Sequence, residues 1–172
     1  MAEQLRDRDV RIVCLPPATV ASVHILAEGD PPRHPELDSA SLQRAYIEGV
    51  NLPARKPDFR NYGFNHTRGE IHGYERWVTI PDDWEAAPPF VKKRFPGGLY
   101  AAYAIPMGAF EEWGRLWQWV ENSAQFTFRL GDPACMNGLL EEHLNAYNHY
   151  QLKQFDADAI QLDLLIPIRE RE

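Results

Sequence analysis

Hydrophobic positions along the chain fall mostly into short runs that predict β-strands, interrupted by two longer stretches with helical spacing. Fourteen Pro and eleven Gly separate these runs, so we expect short elements joined by many turns. The predicted helices cover residues 37–50 and 110–121. The predicted strands cover residues 9–15, 19–26, 60–66, 73–80, 99–105, 139–144 and 161–168.

The order of the predicted elements repeats. From residue 19 onward the chain gives strand, helix, strand, strand, and from residue 99 onward it gives the same series. Each series closes on an Ile-Pro pair, at Ile80-Pro81 and at Ile166-Pro167. One such unit cannot bury both faces of its sheet, so two units should pack together and leave a groove where they meet.

This repeat predicts an α+β fold made of two β-α-β-β modules. We expect pseudo-twofold symmetry, a mostly antiparallel sheet and a central ligand groove. The whole chain, residues 1–172, should form a single domain, with modules at about residues 9–83 and 90–172.

The strand at residues 139–144 carries the first candidate for chemistry. Its period of two places Leu140 and Leu144 on one face and Glu141 and His143 on the other. We expect the helix to pack on the leucine face, so that Glu141 and His143 point into the groove, away from the helix. A carboxylate there would favour a cationic partner or become protonated. The alternative is that the acids of this strand are simply solvated.

Two further strands offer aromatic side chains to the same groove. Glu75 and Trp77 share the face of their strand opposite Val78, and Tyr62 and Phe64 share one face of theirs. A Trp on a non-core face is either a platform for a ligand or a side chain that packs under a loop.

The second module contributes Tyr and Trp candidates. Tyr100 and Tyr103 lie on opposite faces of their strand, and the pattern leaves open which of them points to the groove. Trp113 and Trp117 belong to the apolar stripe of the second helix. Such a stripe is either plain core or part of an aromatic site that holds cations by cation–π attraction.

The charge balance argues against nucleic acid as a partner. The net charge is −7, and the only dense basic run is residues 92–94, which we interpret as a solvated strand edge. A DNA-binding protein would show a basic stripe, so we expect no direct DNA binding. The negative field mildly favours cationic ligands.

Other motifs give no sign of a cofactor or a metal. The His residues lack zinc-site spacing, and the chain has no phosphate loop, dinucleotide fingerprint or GxSxG motif. Cys14, in an apolar run, is expected in the core, and both thiols are expected to be reduced. Residues 1–9 are charged and no apolar run is long enough for a membrane span, so we expect a cytoplasmic protein without a signal peptide.

Six segments together resemble a known family. The runs YGFNH, HGYERWVTIPDDWE, KKRFPGGLYAAY, MGAFEEWGRLWQWVENS, GLLEEHLN and QLDLLIPI are similar to the gyrase-inhibitory-protein-like effector-binding domain. The resemblance extends over residues 10–168. It implies two β-α-β-β modules around a groove for hydrophobic, often cationic molecules, and a link to bacterial transcription regulation and multidrug recognition.

The resemblance also implies roles for residues. Glu141 matches the central Glu of the family, and His143 stands where the family usually has Tyr. Trp113 and Trp117 match aromatic residues of the second helix. Regulators of this family carry a helix-turn-helix before the domain, whereas here the domain begins about ten residues after Met1, so we expect a stand-alone member.

Three functions are compatible with these features. The first is capture of a small hydrophobic or cationic molecule, for sensing or sequestration, with a homodimer or a partner regulator left open. The second is hydrolysis of strained-ring electrophiles, in which Glu141 activates water and Tyr103 polarises the leaving group. The third is a protein-interaction module that inhibits a partner through its acidic surface.

Overall fold

A computed structural model describes residues 4–152 and 156–172 of the chain, so the first three residues of the charged N-terminal segment lie outside the described part. Within these residues lie nine strands, four α-helices and three short 3₁₀ helices. The α-helices are α1 (Pro35–Gly49), α2 (Leu52–Arg55), α3 (Glu112–Asn122) and α4 (Ala146–Gln151). The strands are β1 (Arg11–Leu15), β2 (Ala18–Leu26), β3 (Asn61–Asn65), β4 (Gly73–Ile80), β5 (Val91–Phe95), β6 (Gly98–Pro106), β7 (Phe126–Phe128), β8 (Leu140–His143) and β9 (Gln161–Glu170).

All the strand pairs are antiparallel, in the order β1-β6-β9-β8-β3-β4-β2-β5, and β7 pairs with the end of β9. The α1 helix packs on β2 and β4, and α3 packs on β6 and β9. This arrangement confirms the predicted α+β class with a mostly antiparallel sheet.

The strand order is symmetric about the β3–β8 pair. β3 belongs to the series β2-α1-β3-β4 in one half, and β8 belongs to the series β6-α3-β8-β9 in the other half, as the repeat predicts. At the centre, Tyr62 faces Glu142 and Gly63 faces Glu141 across the two strands. The division into modules at residues 9–83 and 90–172 stays a prediction.

The first strand of each half pairs with the other half, which the sequence analysis did not predict. β1 precedes β2 along the chain but pairs with β6, and β5 precedes β6 but pairs with β2. The two halves therefore hold each other by exchanged edge strands as well as by the central pair. This position explains why Cys14, expected in the core, is exposed: β1 is an edge strand and buries only Leu15.

Three apolar clusters hold the sheet. One lies under α1 and includes Val78 and Ile80 as expected, one lies under α3, and the third covers the opposite face of the sheet. Burial of this apolar area is the main stabilising contribution. Among the described residues no helix is long and apolar enough to span a bilayer.

Candidate functional site

A cavity of about 570 Å³ opens on the helix-bearing face of the sheet, in the space between α1 and α3. Its floor is made by the central strands β3 and β8 together with part of β4, because α1 packs on β2 and β4 and α3 packs on β6 and β9, which leaves the central pair uncovered. We call this cavity the groove. Its lining residues are Glu36, Leu37, Ala40, Asn61, Tyr62, Gly63, Asn65, Tyr74, Arg76, Met107, Phe110, Trp113, Met136, Glu141, His143 and Leu162.

Glu141 lies on the floor of the groove, on β8. Its neighbour across the strands is Gly63, and the next is Arg76 on β4. Since Gly63 has no side chain, the ring of Tyr74 lies over it and places its hydroxyl oxygen 2.6 Å from the Glu141 carboxylate, to which it donates a hydrogen bond. The floor therefore presents one carboxylate held by an aromatic hydroxyl.

The electrostatics of Glu141 are set mainly by burial. Desolvation raises the pKa of this carboxyl, against the hydrogen bond from Tyr74, the charge of Arg76 and a hydrogen bond from Trp113, which lower it. No ion pair of Glu141 occurs within residues 4–152 and 156–172. A cation that entered the groove would be its first direct counter-charge.

Apolar side chains form the mouth of the groove. Leu37 on α1 is 68% exposed, and Met107 and Phe110, just before α3, are 43% and 42% exposed. Together with Trp113, which reaches Glu141 by a hydrogen bond, they supply the aromatic and apolar surface of the groove. The groove thus combines an apolar entrance with a carboxylate on its floor.

Arg76 is the positively charged residue of the groove wall. Its guanidinium carbon lies 4.9 Å from the centre of the Tyr74 ring, and its N–H groups donate to the Ser39 hydroxyl at 3.1 Å and to the Glu36 carbonyl oxygen at 3.3 Å. In the part of the chain that the structure describes, Arg76 forms no ion pair.

His143 also lines the groove, at the end of β8. Its Nε2 lies 2.6 Å from Nδ1 of His149 on α4. Burial, with the nearby His149 and Arg76, lowers the pKa of His143 to about 4. The ring is therefore neutral near pH 7 and adds no charge to the groove.

The structure brings Glu141, His143 and Trp113 together, but it separates them from four other predicted site residues. Four predicted site residues point to the opposite face of the sheet: Tyr62, Phe64, Glu75 and Trp77. The three aromatic side chains among them form a cluster there with Phe95 and Tyr100. The ring centres of Phe64 and Trp77 are 4.9 Å apart, and those of Trp77 and Phe95 are 5.5 Å apart. Tyr62 reaches the groove lining although its ring packs in this cluster.

Glu75 is the centre of a polar cluster on that opposite face. Its carboxylate accepts hydrogen bonds from Ser22 (2.6 Å), the Trp77 indole (2.7 Å) and Lys93 (2.5 Å), and His66 Nδ1 lies 2.5 Å away. Burial alone would raise the pKa of Glu75, but these hydrogen bonds outweigh it and lower the pKa to about 2. These partners satisfy the hydrogen-bonding capacity of the buried carboxylate.

The two remaining candidates lie outside the groove. Tyr103 packs at the edge of the cluster under α3 and faces a separate depression near the N-terminal residues, so a role for it beside Glu141 does not fit the geometry. Trp117 is partly buried and packs against Phe128 and the cluster under α3, with the centres of the two rings 4.3 Å apart. The sequence left open whether Tyr100 or Tyr103 points to the groove. Neither side chain does, because Tyr100 lies in the opposite-face cluster.

Sequence reasoning placed the groove on the wrong face. It expected the helices on the side of Leu140, but Leu140 packs against Leu165 in the opposite-face cluster and Glu141 shares its face with the helices. The missed site residues are Tyr74 and Arg76. Both lie on the same face of β4 as Val78, and the sequence predicted that this face is core. The face is core beneath α1 but lines the open groove beside the helix.

One group of side chains has atoms close enough to suggest a metal site. His24, His66 and Glu75 bring their potential ligand atoms within 4.8 Å of one another. However, the two imidazoles stack with centres 4.0 Å apart and planes 7° apart, so a single ion cannot lie in both ring planes. Glu75 is also already bonded to Lys93. The geometry does not favour a metal there, and the expectation of no metal or cofactor stays a prediction.

Several solved structures share the fold at low sequence identity. A hydrolase from Listeria innocua has a TM-score of 0.60 and 13% identity, with 94% of this chain and 92% of that chain covered. The EcmrR C-terminal domain has a TM-score of 0.60 and 11% identity, with 94% and 98% covered. The protein SAV2435 bound to tetraphenylphosphonium has a TM-score of 0.54 and 11% identity, with 93% of each chain covered. No curated protein sequence matches the chain.

A sequence model of one family matches nearly the whole chain. Residues 11–168 match the family described as Integron-associated effector binding protein. This match confirms the resemblance to gyrase-inhibitory-protein-like effector-binding domains, and it supports a general role in binding small molecules. The chain belongs to the family of integron-associated effector binding proteins.

Proposed function

We propose that the groove binds a lipophilic organic cation, with Glu141 as its counter-charge. The observation that carries this proposal is the Glu141 carboxylate on the floor of an aromatic groove, which has no ion pair with any residue that the structure describes. Desolvating a carboxylate without a counter-charge costs free energy even when hydroxyl and indole groups bond to it, so a cation that replaces the lost hydration is favoured.

The size and lining of the groove support the same class of ligand. A volume of about 570 Å³ is in the range of sites for drug-sized molecules. The rings of Trp113 and Phe110 can contact flat hydrophobic groups and attract a cation by cation–π interaction. The structurally similar SAV2435 is described as bound to tetraphenylphosphonium, a cation of this kind.

Isothermal titration with tetraphenylphosphonium tests the proposal. We expect saturable binding by the native chain and at least roughly tenfold weaker binding by Glu141→Gln, which removes the counter-charge of the cation; a tenfold loss corresponds to about 1.4 kcal/mol. The matched control is Glu121→Gln on the exposed surface of α3, which changes the net charge equally. Absence of binding, or an equal loss in both variants, contradicts the proposal.

Capture of such a cation would serve sensing or sequestration inside the cell. Sensing requires that a partner regulator read the bound state, whereas sequestration requires only affinity and abundance. Co-purification of a partner that depends on added tetraphenylphosphonium distinguishes the two, because sequestration predicts the same partners with and without the cation.

A hydrolase is the second candidate function, and the contact between Tyr74 and Glu141 favours it. In this scheme Glu141 removes a proton from water, the water oxygen attacks a carbon of an epoxide, and Tyr74 donates a proton to the ring oxygen as the C–O bond breaks. The proton taken up by Glu141 then passes to the Tyr74 oxygen along their hydrogen bond, which restores both groups. Tyr74 takes the role that the sequence assigned to Tyr103. Diol formation lost in Glu141→Gln supports this function, and unchanged turnover excludes it.

A further inference from the structure

Besides Glu141, the groove carries the positive charge of Arg76, for which a simple organic cation offers no hydrogen-bond acceptor. The Arg76 side chain lies on the groove wall, yet both of its hydrogen-bond acceptors, the Ser39 hydroxyl and the Glu36 carbonyl, are neutral groups. An Arg has five N–H donors, so three of them remain for another acceptor.

The nearest acid does not neutralise this guanidinium by direct contact. The Glu36 carboxylate lies 2.5 Å from Nε2 of His72 and is not one of the two hydrogen-bond acceptors of Arg76 named above. Burial raises the pKa of the Glu36 carboxyl, but the His72 hydrogen bond and the Arg76 charge lower it. The pKa of Glu36 is therefore below its ordinary value. The Arg76 guanidinium therefore touches the Glu36 backbone carbonyl and acts on the Glu36 carboxylate only at longer range.

Arg76 and Glu141 stand at fixed positions on the groove floor. They occupy cross-strand positions on either side of Gly63, so their backbones are about two strand spacings, roughly 9.5 Å, apart. The Tyr74 ring lies between them, in contact with the guanidinium on its face and with the carboxylate through its hydroxyl. The ring keeps the two charges from forming an ion pair.

We propose that the groove selects a zwitterionic amphiphile, an organic cation that also carries a carboxylate or similar acid. The cationic end would lie against Glu141 and Trp113, and the acid would accept hydrogen bonds from Arg76. This inference rests on the proposed function and narrows its ligand class. A planar guanidinium suits a carboxylate because it can donate two parallel hydrogen bonds.

Two matched compounds test the inference. Carboxybutyl-triphenylphosphonium and pentyl-triphenylphosphonium share the cation and the length of the chain, and differ in the terminal carboxylate. By isothermal titration at neutral pH we expect the carboxylate compound to bind on the order of tenfold more tightly to the native chain. Equal binding, or tighter binding of the pentyl compound, overturns the inference while leaving the proposed function standing.

Variants of Arg76 locate the effect. Arg76→Gln should abolish the advantage of the carboxylate compound over the pentyl compound, and Arg76→Lys should restore part of it. Arg55→Gln on α2, with an exposed side chain and the same change of charge, should keep the full advantage. An advantage that survives in Arg76→Gln overturns the inference. If neither compound binds any of these proteins, the proposed function fails as well.

Discussion

The hydroxyl of Tyr74 donates a 2.6 Å hydrogen bond to the carboxylate of Glu141. Tyr74 belongs to β4, in the first half of the chain, and Glu141 to β8, in the second. The contact crosses the central pair of strands, over the position of Gly63. It links the two halves on the floor of the groove and fixes the direction of the carboxylate.

Tyr74→Phe should lower the free energy of unfolding by about 1 kcal/mol, because it removes one hydrogen bond to a partly buried carboxylate. It should also raise the pKa of Glu141 further, since the Tyr74 hydrogen bond lowers that pKa. Chemical denaturation measures the first effect, and NMR titration of the Glu141 carboxyl carbon measures the second.

Tyr46→Phe is the matched control. The Tyr46 hydroxyl is buried and has no hydrogen-bond partner among the described residues, and its ring stacks on Phe90 at 4.5 Å. Its removal should be neutral or stabilising, because an unsatisfied buried hydroxyl is costly. Equal losses in the two variants would contradict the contribution assigned to the Tyr74 contact.

The affinity for a permanent cation should depend on pH through Glu141. Burial raises the pKa of this carboxyl above its ordinary 4.5, so the carboxylate gains its proton at higher pH than an exposed Glu. The affinity for tetraphenylphosphonium should therefore be highest near neutral pH and fall as the pH drops toward and below the raised pKa.

Other groups that face the groove change this profile little near neutral pH. His143, with a pKa lowered to about 4, stays neutral until the acid end of the titration, and the compound itself does not titrate. Glu141→Gln should remove most of the pH dependence above about pH 5. A profile that is the same in Glu141→Gln would show that another group controls binding.

Strand periodicity predicted which side chains share a face but not which face becomes the groove. The alternation correctly separates Glu141 from Leu140 and Trp77 from Val78. The direction of the groove depends on where α1 and α3 leave the central strands uncovered, and that is a long-range property. Aromatic content favoured the face of Trp77, which proves to be a packed cluster.

The exchanged strands β1 and β5 show the same limit. Both strands were visible in the sequence as apolar or charged runs, but their partners were not. More than 80 residues separate β1 from its partner β6. Local pattern carries no information on such pairing. The short helices α2 and α4 were missed because four and six residues are too few to show helical periodicity.

Glu75→Gln should destabilise the fold and leave the groove unchanged. The variant weakens the hydrogen bonds to Lys93, Ser22 and His66 on the opposite face, so we expect a loss of about 2–3 kcal/mol in the free energy of unfolding. The dissociation constant for tetraphenylphosphonium should stay within roughly twofold of the native value, since the sheet separates the two sites. A large loss of affinity with little loss of stability would return Glu75 to the binding site.

Gly63→Ala tests the floor of the groove most directly. A Cβ at this position would lie 2.2 Å from the Tyr74 hydroxyl oxygen and 2.8 Å from two carbons of its ring, so the ring must move away and lose its bond to Glu141. We expect the affinity for tetraphenylphosphonium to fall at least about tenfold and the stability to fall by about 1–3 kcal/mol. The control is Gly49→Ala at the end of α1, where nothing lies within 4 Å of the added Cβ and the change should slightly stabilise the helix. If Gly63→Ala binds the cation as the native chain does, the Tyr74 ring does not define the floor, and the position of the cation must be sought nearer Phe110.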